Sequence, residues 1–252
     1  MTGTSYSAQL SASGGNSYSW AVSSGNPPAG LQLDASGRLS GTPTSAGSYS
    51  FSVRVTDEKG RTATGSIALR VLEQLAAVAP ADQQWEVGRP LEIPIQGKGG
   101  LPAYHWSISG ALPKNTAFID YEGDGTSVRL HGVPAEEGTF PVTITMTDSG
   151  GHSTQVQLTL TVLPKLQLLT VAPGRATVGK RYQLKLSARG GVGELSWTVP
   201  KGSLAPGLAL DGTNGVISGI PGRRGAYRFT VTVTDSLGAK ASMTFSLLVR
   251  RR

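Results

Sequence analysis

Three times along its 252 residues the chain repeats one block with the spacing kept: GTPTSAGSYSFSVRVTDEKG from Gly41 to Gly60, GVPAEEGTFPVTITMTDSGG from Gly132 to Gly151, and GIPGRRGAYRFTVTVTDSLG from Gly219 to Gly238. The blocks start 91 and then 87 residues apart, which divides the chain into three units of one kind, 1–73, 74–164 and 165–252. Inside each block apolar side chains fall at every second position: Tyr49, Phe51, Val53, Val55; Phe140, Val142, Ile144, Met146; Tyr227, Phe229, Val231, Val233. A period of two belongs to a half-buried strand, because successive side chains point to opposite faces. A second alternating run follows each Thr-Asp: Ile67, Leu69, Val71; Leu158, Leu160, Val162; Phe245, Leu247, Val249. The connections DEKGR, DSGGH and DSLGA are turn sequences, so each block predicts a β-hairpin.

Upstream of each hairpin lies one tryptophan, Trp20, Trp106 or Trp197, in a short segment suited to an inner strand. Before it runs another alternating strand, clearest in Tyr182, Leu184, Leu186 and Ala188. Six or seven short strands per unit and no helical periodicity predict an all-β fold. The expected form is three tandem immunoglobulin-like antiparallel sandwiches, each built around its tryptophan. Gly (34) and Pro (15) are frequent, yet the 38% hydrophobic share is laid out regularly, as in a turn-rich folded protein. With no cysteine, each unit must be held by its own core, and the redox compartment stays open. No apolar run reaches the roughly 18 residues of a membrane-spanning helix. Only a few residues separate Val71 from Leu75 and Val162 from Leu166, and Pro164 stiffens the second joint. Three units joined so closely are expected to form an extended rod of about 100 Å.

The stretches PPAGLQLDASGRLSGTPTSAGSYSFSVRVTDEKG and LAPGLALDGTNGVISGIPGRRGAYRFTVTVTDSLG closely resemble the putative Ig repeat, also described as dystroglycan-type cadherin-like. Gly-Leu-x-Leu-Asp, then Gly-x-Pro, a following Gly, an aromatic and Thr-Asp carry the resemblance over nearly the whole chain. Such repeats stand in tandem in large bacterial surface and secreted proteins, as stalks, spacers and binding modules. The resemblance therefore implies a non-catalytic stalk or adhesion module at the cell surface or outside the cell, meeting another protein or a surface polymer. It also implies an alternative, accessory domains of a secreted hydrolase whose catalytic part lies elsewhere.

Two units depart from the pattern. Unit 2 replaces Gly-Leu-x-Leu-Asp by ALPKNTAFIDYEGDGTSVRLHGVP, lengthening the loop around 112–130: Trp106 stands 26 residues before Gly132, against 21 and 22 in the others. Unit 1 has almost nothing before Gly3, where its sisters carry LAAVAP and LQLLTVAP, so its first strand is expected to be missing. The chain then reads as a fragment of a longer protein, monomeric in isolation, or as one with an edge left open for a donated strand.

The repeated carboxylates Asp57, Asp148 and Asp235 stand where a strand gives way to a tight turn, and an aspartate there fixes the turn through backbone N–H groups without an ion. No cofactor is expected except calcium, which needs six to eight oxygens; the best candidate set is Asp120, Glu122 and Asp124 in DYEGDG, with a solvated loop as the plainer reading. The junction sequences are too poor in carboxylates for interdomain calcium sites. His105, His131 and His152 stand singly, and no nucleophile elbow, phosphate loop or dinucleotide fingerprint is present, so no catalytic residue is assigned. Trp85 lies outside the repeat register and is expected at the surface where units 1 and 2 meet.

Charge is the most uneven property. Counting Lys and Arg against Asp and Glu gives +1 for unit 1, −5 for unit 2 and +11 for unit 3, within a total of +7. Arg181, Lys185 and Arg189 alternate with an apolar set and must face outward, Arg223 and Arg224 occupy the Gly-x-Pro loop, and Arg228 faces outward on the next strand. A solvated face accounts for such a surface. The functional readings are contact with a polyanion, or docking against an acidic neighbour. Nucleic acid is disfavoured, since no aromatics interleave the basic residues for base stacking.

Overall fold

The computed structural model describes residues 1–120, 125–169 and 173–251, and every regular element among them is a strand. Unit 1 holds β1 (Tyr6–Gln9), β2 (Ser19–Ser24), β3 (Leu31–Leu33), β4 (Arg38–Gly41), β5 (Gly47–Thr56) and β6 (Thr62–Val71). They form two sheets, β1-β4-β3 and β2-β5-β6. Unit 2 holds β7 (Ala76–Val78), β8 (Gln83–Glu86), β9 (Leu91–Lys98), β10 (His105–Ser109), β11 (Thr116–Ile119), β12 (Ser127–Gly132), β13 (Gly138–Thr147) and β14 (Ser153–Leu163). Its sheets are β11-β12-β9-β7 and β10-β13-β14-β8. Unit 3 holds β15 (Gln167–Leu168), β16 (Arg175–Thr177), β17 (Tyr182–Lys185), β18 (Ala188–Arg189), β19 (Ser196–Thr198), β20 (Leu208–Asp211), β21 (Val216–Gly219), β22 (Gly225–Thr234) and β23 (Lys240–Arg250). It repeats the arrangement as β17-β21-β20, β15-β18 and β16-β23-β22-β19.

The repeated block is the hairpin β5–β6, β13–β14 and β22–β23, paired over ten positions in each copy. Its alternation sets the core: on β13 Val142, Ile144 and Met146 are buried while the threonines between them face outward. Leu158 and Leu160 of β14 meet them, and Leu91, Ile93, Ile95, Val128 and Leu130 close the core from the other sheet. Each such side chain, fully buried, contributes roughly 1.5–3 kcal/mol of hydrophobic stabilisation.

The glycine motif has a steric cause. Leu31 of β3 pairs with Gly41 of β4, and a Cβ on Gly41 would lie 2.0 Å from the carbonyl oxygen of Gly30. Gly207 and Gly219 repeat this contact. In unit 2 the place of Gly30 is taken by Asn115, at φ 64°, opposite Gly132. Asparagine is among the few residues with side chains that accept that backbone region, so the divergent sequence keeps the same turn.

Several expectations need correction. Unit 1 has six strands, but units 2 and 3 have eight and nine among the described residues. Nor are the sandwiches wholly antiparallel: β8 runs parallel to β14, and β16 parallel to β23. β8 follows β7 after four residues and lies in the other sheet, so no tight hairpin dictates its direction. The tryptophans lie on β2, β10 and β19, which are edge strands rather than inner ones. Their rings still turn inward: Trp197 is buried, while Trp20 and Trp106 are half-buried against their cores. Trp85 does not mark a contact with unit 1. It is half-buried on unit 2's own core from β8, and its indole N–H donates to the Arg89 carbonyl at 3.1 Å, because the parallel pairing with β14 turns it inward.

Candidate functional site

Each repeated aspartate ends the first strand of its hairpin and receives backbone N–H groups. Asp148 Oδ1 accepts from Gly150 N at 3.0 Å and His152 N at 2.9 Å, while Oδ2 accepts from Leu101 N at 3.0 Å. Asp235 repeats the set with Leu237 N at 3.0 Å, Ala239 N at 2.7 Å and Val192 N at 2.8 Å. Asp57 accepts from Lys59 N at 2.9 Å and Arg61 N at 2.8 Å, but its second oxygen takes the Arg61 Nε at 2.7 Å instead of a distant backbone group. Burial alone would raise the Asp148 carboxyl, but hydrogen bonds from His152 and Leu101, with the His152 charge, outweigh it and hold the group below its ordinary value. Asp57 is lowered in the same way, its burial outweighed by Arg61 and the turn amides. With three N–H donors on each, these carboxylates act as corner ties between a turn and, in units 2 and 3, the loop ahead of the tryptophan strand.

The six basic residues singled out in unit 3 are all exposed, but they do not share one face. Lys185 lies on β17, with Arg181 just ahead of it, in the sheet β17-β21-β20, whereas Arg228 lies on β22 in the opposite sheet. Arg223 and Arg224 stand in the connection between β21 and β22. Lys185 donates to the carbonyl of Asn214, and Arg189 reaches Glu137 of unit 2 at 3.6 Å. The basic surface therefore wraps around unit 3 and meets the acidic unit at one point.

Of the calcium set, Asp120 is exposed just after β11, while Glu122 and Asp124 lie outside the described residues. The histidines are dispersed: His105 on β10, His131 on β12 in the other sheet, and His152 with its Nδ1 3.2 Å from Asp148. Among the described residues, no three histidine or acidic side chains converge as metal ligands would. Sequence reasoning missed the contacts that join units 2 and 3. Glu86, buried, accepts from the backbone N–H of Leu166, and Arg89 donates to the Leu237 carbonyl at 2.5 Å. No local pattern marks either residue, since each partner lies in another unit.

The family model described as "Putative Ig domain" matches residues 1–72, 74–163 and 166–250. Half of the chain, over 133 residues, is 32% identical to the Serine-rich adhesin for platelets of Staphylococcus aureus (strain MRSA252), and the match covers 9% of that protein. The mouse Dyslexia-associated protein KIAA0319-like protein is 24% identical over 225 residues, spanning 81% of this chain and 21% of its own. The chain thus spans a small part of these relatives' length. Among solved structures it is similar to Sidekick-1 immunoglobulin domains 1–4, with a TM-score of 0.41 and 14% identity over 99% of this chain and 72% of that one. The Protocadherin GammaB4 extracellular domain gives a TM-score of 0.36 and 14% identity over 92% of this chain and 43% of that one. With three consecutive matches covering almost all of its length, the chain belongs to the Putative Ig domain family as a tandem array of three.

Proposed function

We propose that the three units form a non-catalytic stalk and adhesion module of a bacterial cell-surface or secreted protein. The carrying observation is the serial array itself: three family domains joined by short junctions, the first bridged by Gln74 N donating to the Thr2 hydroxyl at 3.1 Å and the second by backbone and side-chain contacts of units 2 and 3. The similarity of half the chain to a staphylococcal adhesin supports the same reading. Such joints resist bending, so the array holds whatever it carries at a fixed distance. Small-angle scattering of the full chain tests the spacing role. A maximum dimension of about 100 Å is expected from strand length, and a radius of gyration near 18 Å, that of a globule this size, would overturn it.

A second reading rests on the +11 charge of unit 3 and its exposed Arg181, Lys185, Arg223, Arg224 and Arg228. Through them the module would bind an anionic glycan or another polyanion of the surface it contacts. Retention on immobilised heparin should fall steeply with salt and disappear when the five residues are changed to glutamine. Salt-independent passage of the parent chain would remove this reading and leave the stalk in place.

A further inference from the structure

The sheet β17-β21-β20 of unit 3 turns small polar residues to solvent at its centre. Gln183 of β17 lies opposite Ser218 of β21, which in turn lies opposite Ala209 of β20, and all three are exposed. Tyr182, Gly219 and Leu208 form the next row. Arg181, Tyr182 and Gln183 with Ser218, Gly219 and Ile220 line a trough of about 650 Å³, within the roughly 300–1,000 Å³ that ligand sites span. The Tyr182 hydroxyl is already committed, donating to the Pro173 carbonyl at 2.6 Å.

Charge is sorted along this sheet. Gly179 N donates to the Pro221 carbonyl at 3.0 Å, so the turn carrying Lys180 and Arg181 is tied to the loop carrying Arg223 and Arg224. All four are exposed, and among the described residues none of them forms an ion pair. Unit 3 has three acidic residues, and all lie toward the other end of the sandwich. Asp211 shares the row of Val216 and Lys185, and Asp235 is tied to Val192 beyond β18. The Glu194 carbonyl accepts from the Ser236 hydroxyl at 3.3 Å in that same corner. Lys185 belongs to that end as well, donating to the Asn214 carbonyl. The trough therefore opens beside cations that no carboxylate offsets, and next to them Ile220 keeps 50% of its surface exposed.

We propose that this trough binds an acidic sugar of a polysaccharide chain, a hexose ring bearing a carboxylate or a sulfate. The proposal rests on the polyanion reading of unit 3 and narrows it to one site. Arg181 pairs with the anionic group, since a guanidinium presents two parallel N–H donors to its oxygens. The Gln183 amide and the Ser218 hydroxyl, without a partner among the described residues, take ring hydroxyls. Ile220 covers the apolar C–H face of the ring, and Gly219 adds no side chain to the floor. Arg223 and Arg224, on the tied loop, attract the next charges along the chain. A phosphate backbone would leave Ile220 and the Gln183 amide without partners, which favours a saccharide over a nucleic acid.

The test titrates the isotope-labelled full chain with a galacturonate hexasaccharide and, separately, with a heparin hexasaccharide at low salt. The amide signals of residues 181–183 and 218–220 should shift together with at least one of them. The tighter of the two identifies the anion as carboxylate or sulfate, and neutral maltohexaose should shift nothing. Arg181→Gln should weaken binding roughly tenfold, and Gln183→Ala and Ile220→Ser should each weaken it measurably. Lys240→Gln removes an equal charge from the exposed start of β23 and should change affinity by less than about twofold. Equal losses from Arg181→Gln and Lys240→Gln, or shifts scattered over the whole basic surface, would overturn the site and leave unit 3 a general polyanion binder. A thymidine oligonucleotide of equal charge bound as tightly as the saccharides would overturn the assignment of the ligand. No binding of any of these probes would overturn the proposal and the polyanion reading together.

Discussion

Asp235 accepts a hydrogen bond at 2.8 Å from the backbone N–H of Val192, 43 residues earlier in the chain, and so ties the hairpin turn of unit 3 to the loop that leads into Trp197. Asp148 makes the same tie to Leu101, whereas the second oxygen of Asp57 takes the Arg61 side chain of its own turn. Replacing Asp235 by alanine would strand three N–H donors at a site only 6% exposed. A loss on the order of 3 kcal/mol is expected, read by calorimetry as a lowered transition and by faster exchange of the Val192 amide.

The acid response follows from five carboxylates held below their ordinary values: Asp34, Asp57, Asp148, Asp211 and, through the Lys114 side chain, Glu136. For Asp34 the leading cause is the Ser36 hydroxyl, for Asp211 the Asn214 side chain. For Asp57 and Asp148 burial acts upward and is outweighed by the donors around them. A folded-state value below the unfolded one stabilises above the unfolded value, and that stabilisation is lost as pH falls through the folded one. Melting temperature should therefore be level from pH 7 to about 5 and drop below about 4. A monotonic rise toward acid would contradict the assignment.

Core truncations should separate the units. Leu158→Ala, at a position 1% exposed, is expected to cost roughly 2–5 kcal/mol. Its counterpart Ile67→Ala should cost distinctly less, because Ile67 is only half-buried, beside a groove of about 710 Å³ that also touches Trp20 and Val55 in unit 1. For the same reason unit 1 should melt first in a scan of the whole chain. Equal losses at the two positions would show that the groove is closed in solution.

At the junction of units 2 and 3 two interactions should weigh differently. Arg189 and Glu137 are exposed and 3.6 Å apart, so Arg189→Ala should change stability by less than about 1 kcal/mol. Glu86 is buried and accepts from Leu166 N, and Glu86→Ala removes the acceptor of a buried amide. Scattering of this variant should show a broader distribution of maximum dimension, with the unit folds intact by circular dichroism.

Much of the molecule was legible in the amino-acid order. The two-residue rhythm through Phe51, Val53, Ile67 and Leu69, and its two repeats, specified hairpins, their inward faces and three units of one family, because strand alternation is a local property. The turn aspartates were legible too, since their nearest donors lie two and four residues on. Tertiary structure alone decided which strands lie at edges, how the second carboxylate oxygen of Asp148 and Asp235 is used, and where Arg228 stands relative to Lys185. It also decided that Gly14 faces open space where Gly99 and Gly190 face a carbonyl. These are relations between segments tens of residues apart, set by how sheets stack and which neighbour fills a gap, and no local pattern encodes them.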